Sequence, residues 1–148
     1  MELRVLGAHN AESKTTRLES HLIDKVLVLD AGGLTRSLTF EEQAGIRAVI
    51  LSHRHFDHVR DLLPLGVGLL TSGKTIDVFA IEDTVKFVTK NLLDGSLYPD
   101  FRIFPSPETP VFRFHTIEFY KEFQVLGYNV MAVPVYHAVP AAGFQITS

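Results

Sequence analysis

Cysteine is absent from this chain of 148 residues. Disulfides and thiolate metal sites are thereby excluded, so any bound metal must take its ligands from His, Asp or Glu. The start, Met1-Glu2-Leu3-Arg4-Val5, lacks the basic opening and long apolar stretch of a signal peptide. No segment reaches the roughly 18 to 20 apolar residues needed to span a bilayer. The expectation is a soluble, cytoplasmic protein with no membrane partner. Charge of one sign is not in surplus either. With 14 basic against 17 acidic residues and a net charge of −3, nothing draws the chain generally toward nucleic acid, and polyanion binding would need a local patch. There is no internal repeat and no low-complexity tract. A hydrophobic content of 46% and a charged content of 21% are ordinary for a globular chain, and residues 1–148 fit one domain able to bury a core.

Hydropathy and turn residues predict a mixed α/β (α+β) fold rich in strands. Leu3 to Leu6 reads as a strand ended by Gly7, and residues 8 to 17 as a polar loop. Two β-type runs, Ser20 to Asp24 and Val26 to Asp30, predict a hairpin. Thr39-Phe40-Glu41-Glu42 has the form of a capping box and predicts a short helix. Ala48 to Leu51 is a continuous apolar strand of the kind buried on both faces. A helix is expected from Val59 toward Leu70, its middle interrupted by Pro64, Gly66 and Gly68. Then come a strand at Ile76 to Ala80 and a helix at Thr84 to Leu93 with Val85, Val88 and Leu92 on one face. Residues 94 to 110 carry four prolines and read as an irregular excursion. Long β-type runs at Val111 to Phe119 and Phe123 to Val135, and a last strand at Gly143 to Ser148, complete the pattern.

The chemistry concentrates in Ser52-His53-Arg54-His55-Phe56-Asp57-His58. In an extended segment residues two apart point the same way, so His53 and His55 can offer their imidazoles to one ion. Asp57 and His58 fall where the chain turns into the following helix, displaced toward a second position. One loop can then serve two neighbouring divalent metals, which together clamp the oxygens of a phosphate or ester, and a first-row metal lowers the pKa of bound water toward about 7. A surface histidine cluster without metal is the bland alternative, and this spacing after a buried strand argues against it.

The spacing His-x-His-x-Asp-His resembles the hallmark of the metallo-β-lactamase superfamily. Asp30-Ala31-Gly32 matches that family's Asp-x-Gly turn, and the stretch from Val133 to Phe144 around His137 is similar to the ribonuclease Z-like and phosphodiesterase branches. The resemblance implies an αββα sandwich. It also implies that His53, His55 and His137 hold metal one, that Asp57 and His58 hold metal two, and that Asp57 orients the nucleophilic water and protonates the leaving group. Zinc is the expected cofactor, one or two ions, with manganese or iron compatible. Family members continue with a Gly-Asp strand end and a final His that complete the second site. Neither occurs before Ser148, so the resemblance implies the N-terminal part of the domain, truncated at the C-terminus. Uncovered sheet surface then predicts a homodimer or low stability.

The function expected of the full-length form is a metal-dependent hydrolase, foremost a phosphodiesterase acting on a cyclic nucleotide, another small phosphodiester or RNA, whereas residues 1–148 alone, without the complete centre, can be inactive. A lactonase or thioesterase, and a binding scaffold without a complete centre, are the alternatives. The Pro-rich stretch from Leu97 to Pro110 is unlike the basic, Gly-rich arm of ribonuclease Z-like proteins, which favours a small phosphodiester over tRNA. Asp30 is an expected acceptor for a ligand His N–H. Asp61 reads equally as a support to the ligands or as a helix-surface charge. Arg54 could meet a substrate phosphate or a surface carboxylate, and Phe56 could narrow the pocket or pack beneath the loop. His9 reads as exposed, and His21 and His115 as packing or sheet-face residues.

Overall fold

A computed structural model describes residues 1–148. Strands β1 (Leu3–Gly7), β2 (Ser20–Ile23), β3 (Leu27–Leu29), β4 (Ala48–Ile50), β5 (Ile76–Ile81) and β6 (Phe112–Ile117) form one sheet in that order. The first three strands pair antiparallel, and β3 to β6 run parallel. Strands β7 (Glu122–Val125), β8 (Tyr128–Val135) and β9 (Ala141–Thr147) form a second, antiparallel sheet. The helices are α1 (Leu34–Ser37), α2 (Phe40–Gly45), α3 (Phe56–Val59), α4 (Leu62–Leu69) and α5 (Glu82–Asn91). No helix is long and apolar enough to cross a membrane.

Alternation along the parallel strands decides the layering, because successive side chains leave opposite faces of a sheet. Val28, Val49, Leu51, Val78 and Ala80 pack with the helical residues Leu34, Leu62, Leu65, Leu69 and Val88. Their neighbours Leu27, Ala48 and Ile50 pack instead against Val125, Tyr128 and Val130 of the second sheet. Both faces of β3 to β5 are therefore covered, which is why these strands read as unbroken apolar runs. The layers are helices, six-stranded sheet and three-stranded sheet. Tyr128 donates its hydroxyl to Asp24, tying the second sheet to the turn after β2.

The hairpin β2–β3, the Thr39 capping box and the strands β4, β5 and β6 fall where expected, with ends shifted by a few residues. Three details differ. The expected helix from Val59 is two helices, α3 and α4, with Arg60 and Asp61 between them. Pro64 lies in the first turn of α4, where a missing N–H is tolerated. Gly66 makes room for the Pro-rich excursion, since a Cβ there would lie 2.5 Å from the ring of the fully buried Phe101. The long run Phe123 to Val135 is folded back on itself. Leu126 and Gly127, with φ of 53° and 89°, form a two-residue turn between β7 and β8. No residue pattern predicts helix α1, which has no capping side chain at Gly33.

Candidate metal centre

The cluster leaves the carboxyl end of β4, at the sheet edge where open α/β folds place their sites. Asp30, just past β3, takes a left-handed φ of 56°, which Asp tolerates better than most residues. Its Oδ1 accepts the Ser52 N–H at 2.7 Å, and its Oδ2 accepts the Ser52 hydroxyl at 2.7 Å. The same Oδ2 lies 2.8 Å from His58 Nδ1. Next in the chain, the Ala31 N–H donates to the His58 carbonyl and the Ala31 carbonyl accepts from the Asp61 N–H, both at 2.7 Å. Gly32 then passes so close that a Cβ would stand 1.7 Å from the Asp57 carbonyl oxygen. The Asp-x-Gly turn is thus a cradle for the histidine loop, and no side chain fits at its third position.

These bonds assign the ring protons. The Ser52 hydroxyl gives its proton to Asp30, so at 2.9 Å it accepts from His53 Nδ1–H and leaves His53 Nε2 with a free lone pair. His53 Nε2 lies 3.1 Å from His55 Nδ1, and His137 Nε2 lies 3.1 Å from that same atom. One imidazole nitrogen carries either a proton or one in-plane lone pair, so these two contacts cannot both be hydrogen bonds. The three nitrogens all lie within 4.8 Å of one another. Two nitrogens about 2.0–2.1 Å from a tetrahedral ion lie about 3.3 Å apart, which the two 3.1 Å separations match, and three neutral imidazoles are a donor set that suits a cation of the zinc type. Burial, with the adjacent His58, pushes the His53 pKa down to about 4, which keeps the ring neutral as ligation requires.

Asp57 and His58 stand beside this trio as a separate pair. Asp57 Oδ2 is 3.3 Å from His58 Nε2, and the His53 and His58 ring centroids are 4.0 Å apart. Burial would lower the His58 pKa, but the hydrogen bond and charge of Asp30 outweigh it and raise the value. The Asp30–His58 pair has the carboxylate–imidazole form that orients metal-binding histidines. His137 comes from the connection between β8 and β9, which is pinned to the loop by the Ala142 N–H donating to the Ser52 carbonyl at 3.0 Å.

The remaining candidates lie elsewhere. His9 is exposed, His21 pairs with Glu19 at 3.2 Å, and His115 bonds Asp77 at 2.7 Å while stacking on Phe79. Arg54 pairs with Asp83 at 3.2 Å and lies over the Phe87 ring. Phe56 is 63% exposed, so it does not pack beneath the loop. Asp61 is neither of the two things expected of it. At 1% exposure it accepts from the N–H and hydroxyl of Thr35, both at 2.7 Å, and from Arg60 at 2.8 Å. It thereby caps α1 from a distance and holds it against the histidine loop.

Residues 22–148 match the sequence profile of the Beta-lactamase superfamily domain. The chain belongs to this family. Among solved structures, its fold is similar to the metallo-β-lactamase fold protein YhfI from Bacillus subtilis, with TM-score 0.75 and 18% identity over 98% of this chain and 57% of that one. Yeast PDE1 gives TM-score 0.75 and 11% identity over 97% of this chain and 59% of that one. The short form of human tRNase Z gives TM-score 0.70 and 18% identity over 99% and 65%. The chain therefore spans less than two thirds of the length of each of these proteins. No curated protein matches it by sequence.

Proposed function

We propose that this chain carries the metal-binding half-site of a phosphodiesterase of the metallo-β-lactamase superfamily, with a small phosphodiester as substrate and zinc as the resident metal. The observation that carries the reading is the convergence of His53 Nε2, His55 Nδ1 and His137 Nε2 on one point, with the Asp57–His58 pair alongside. His53, His55 and His137 would hold one ion, and Asp57 and His58 would contribute to a second. A divalent metal there supplies Lewis acidity and lowers the pKa of a coordinated water toward about 7. The chain's own residues supply the rest. Ser52 and Asp30 hold the His53 and His58 rings in Nδ1–H tautomers, which leaves each Nε2 lone pair free for ligation. Asp57 would take the proton of the attacking water and return it to the leaving oxygen, in the manner of a general base and acid. Support for phosphodiester chemistry comes from neighbours that include yeast PDE1, tRNase Z and a diphosphatase of the PhnP family, which share the fold.

The test is elemental metal analysis together with hydrolysis of bis(p-nitrophenyl) phosphate, on this chain and on a full-length version. About one zinc or more per chain is expected in both, with the activity of the full-length version abolished in His53→Ala. A chain that binds no metal, and whose rate is indifferent to His53→Ala, would sink the proposal.

A further inference from the structure

Immediately beside the three imidazoles, between α3 and α5, lies a cavity of about 570 Å³. His55 belongs to both: it lines the cavity, and its Nδ1 lies 3.1 Å from both His53 Nε2 and His137 Nε2. The other walls are Phe56, Val59, Phe87, Leu92 and Val139, with Arg54 and Asn91 at the polar side. Phe56 and Phe87 stay 63% and 37% exposed there. Phe87 also lies off the Thr84–Val88 face by which α5 is buried. The Arg54 guanidinium lies over its ring, 5.0 Å from the ring centre.

We propose that this cavity is a subsite for an apolar aromatic group esterified to the phosphodiester, so that an aryl ester is the preferred substrate; this rests on the hydrolase reading above. The size falls within the range of small-molecule sites, and a shared histidine wall means that one ligand can reach both places. Aromatic faces favour a flat ring over an alkyl chain of similar area, because stacking adds to burial. The scarcity of polar groups separates an aryl ring from a nucleobase. Arg54 is engaged by Asp83, and the Asn91 amide N–H donates to the Phe87 carbonyl at 2.9 Å. A base seated here would find few hydrogen-bond partners for its edge, so the polar edge gains nothing over a plain ring and loses where the walls desolvate it.

Three slowly hydrolysed methylphosphonate monoesters of equal charge, the phenyl, ethyl and 5′-thymidyl esters, test this by calorimetric titration of the zinc-loaded chain. The phenyl ester should bind at least about tenfold more tightly than the ethyl ester, from apolar burial alone, and more tightly than the thymidyl ester. Phe87→Glu should reduce phenyl binding to the ethyl level while zinc content stays at the parent value. Phe87→Leu should keep a partial preference. Equal phenyl and ethyl affinities, a thymidyl preference, or a phenyl advantage that survives Phe87→Glu would each overturn the proposal. Saturation-transfer NMR on chelator-treated protein separates the two readings. Phenyl contact without zinc binding or hydrolysis would keep the subsite and remove the hydrolase, whereas hydrolysis without aryl preference would do the reverse.

Discussion

Replacing Gly32 with alanine inserts one methyl group where the structure has no room for it. The new Cβ would stand 1.7 Å from the Asp57 carbonyl oxygen, 2.7 Å from the Asp57 carbonyl carbon and 2.7 Å from the Glu19 carbonyl oxygen. All three are backbone atoms, so no side chain can swing aside. Ordinary contact begins near 3.5 Å, so the loop bearing Asp57 and His58 must retreat by about 1.5 Å or more. Overpacking of this kind costs about 1–3 kcal/mol, and a clash with backbone belongs at the upper end. The displacement also pulls His58 away from Asp30, and a misplacement of about 1 Å can cost about 100-fold at a chemical site. Urea unfolding of the metal-free protein, with the midpoint read at unchanged slope, measures the first effect. Competition against a zinc chelator measures the second, and a loss of at least about tenfold is expected. Gly45→Ala is the control, since the nearest atom to its Cβ is the Lys25 carbonyl oxygen at 3.6 Å. It should be neutral or stabilising by up to about 1 kcal/mol. A Gly32→Ala protein as stable as Gly45→Ala, with parental zinc affinity, would refute the claim that the turn sets the loop.

Asp30→Ala removes the acceptor of three donors at once, and zinc affinity should fall about 10- to 100-fold in the same chelator competition. Asp61→Ala leaves the Thr35 N–H and the Arg60 guanidinium without their buried acceptor. It should destabilise by about 3 kcal/mol in urea, while Asp61→Asn recovers part of the loss. Acid stability should depend on Tyr128. Its hydroxyl, together with the Glu2 N–H, holds the Asp24 pKa below its usual 3.8. A carboxyl depressed by folding adds stability above its unfolded pKa and loses it as pH falls through the folded value. Tyr128→Phe should therefore raise the midpoint of acid unfolding in a circular-dichroism titration below pH 4, and an unmoved midpoint would count against that bond.

What was readable in advance was what is local. The histidine spacing, the Asp30–Gly32 turn, the Thr39 capping box and the buried parallel strands each rest on residues within a few positions of one another. The rest depends on partners far along the chain or on a local signal that is missing. Helix α1 has no capping side chain of its own and is completed by Asp61, 26 residues beyond Thr35. The β7–β8 turn is made by Leu126-Gly127, whose first residue lacks the Asn or Asp that usually signals such a turn. The cavity wall was hidden for the same reason. Phe87 looks like one more apolar residue of a helix, and only its position off the buried stripe marks it out. A large aromatic residue outside the apolar face of α5 was the available signal.

His55 and His137 are 82 residues apart, and they arrive from opposite sheets. Shared ligation would close that length of chain into a ring, much as a disulfide does in a protein that has cysteine to spend. Cross-links spanning long loops restrict the unfolded chain by several kcal/mol in the chain-entropy view, about 4.5 for a loop of this size. The centre would then double as a reversible tie between the two sheets, and chelation would loosen their docking before it touched the helices.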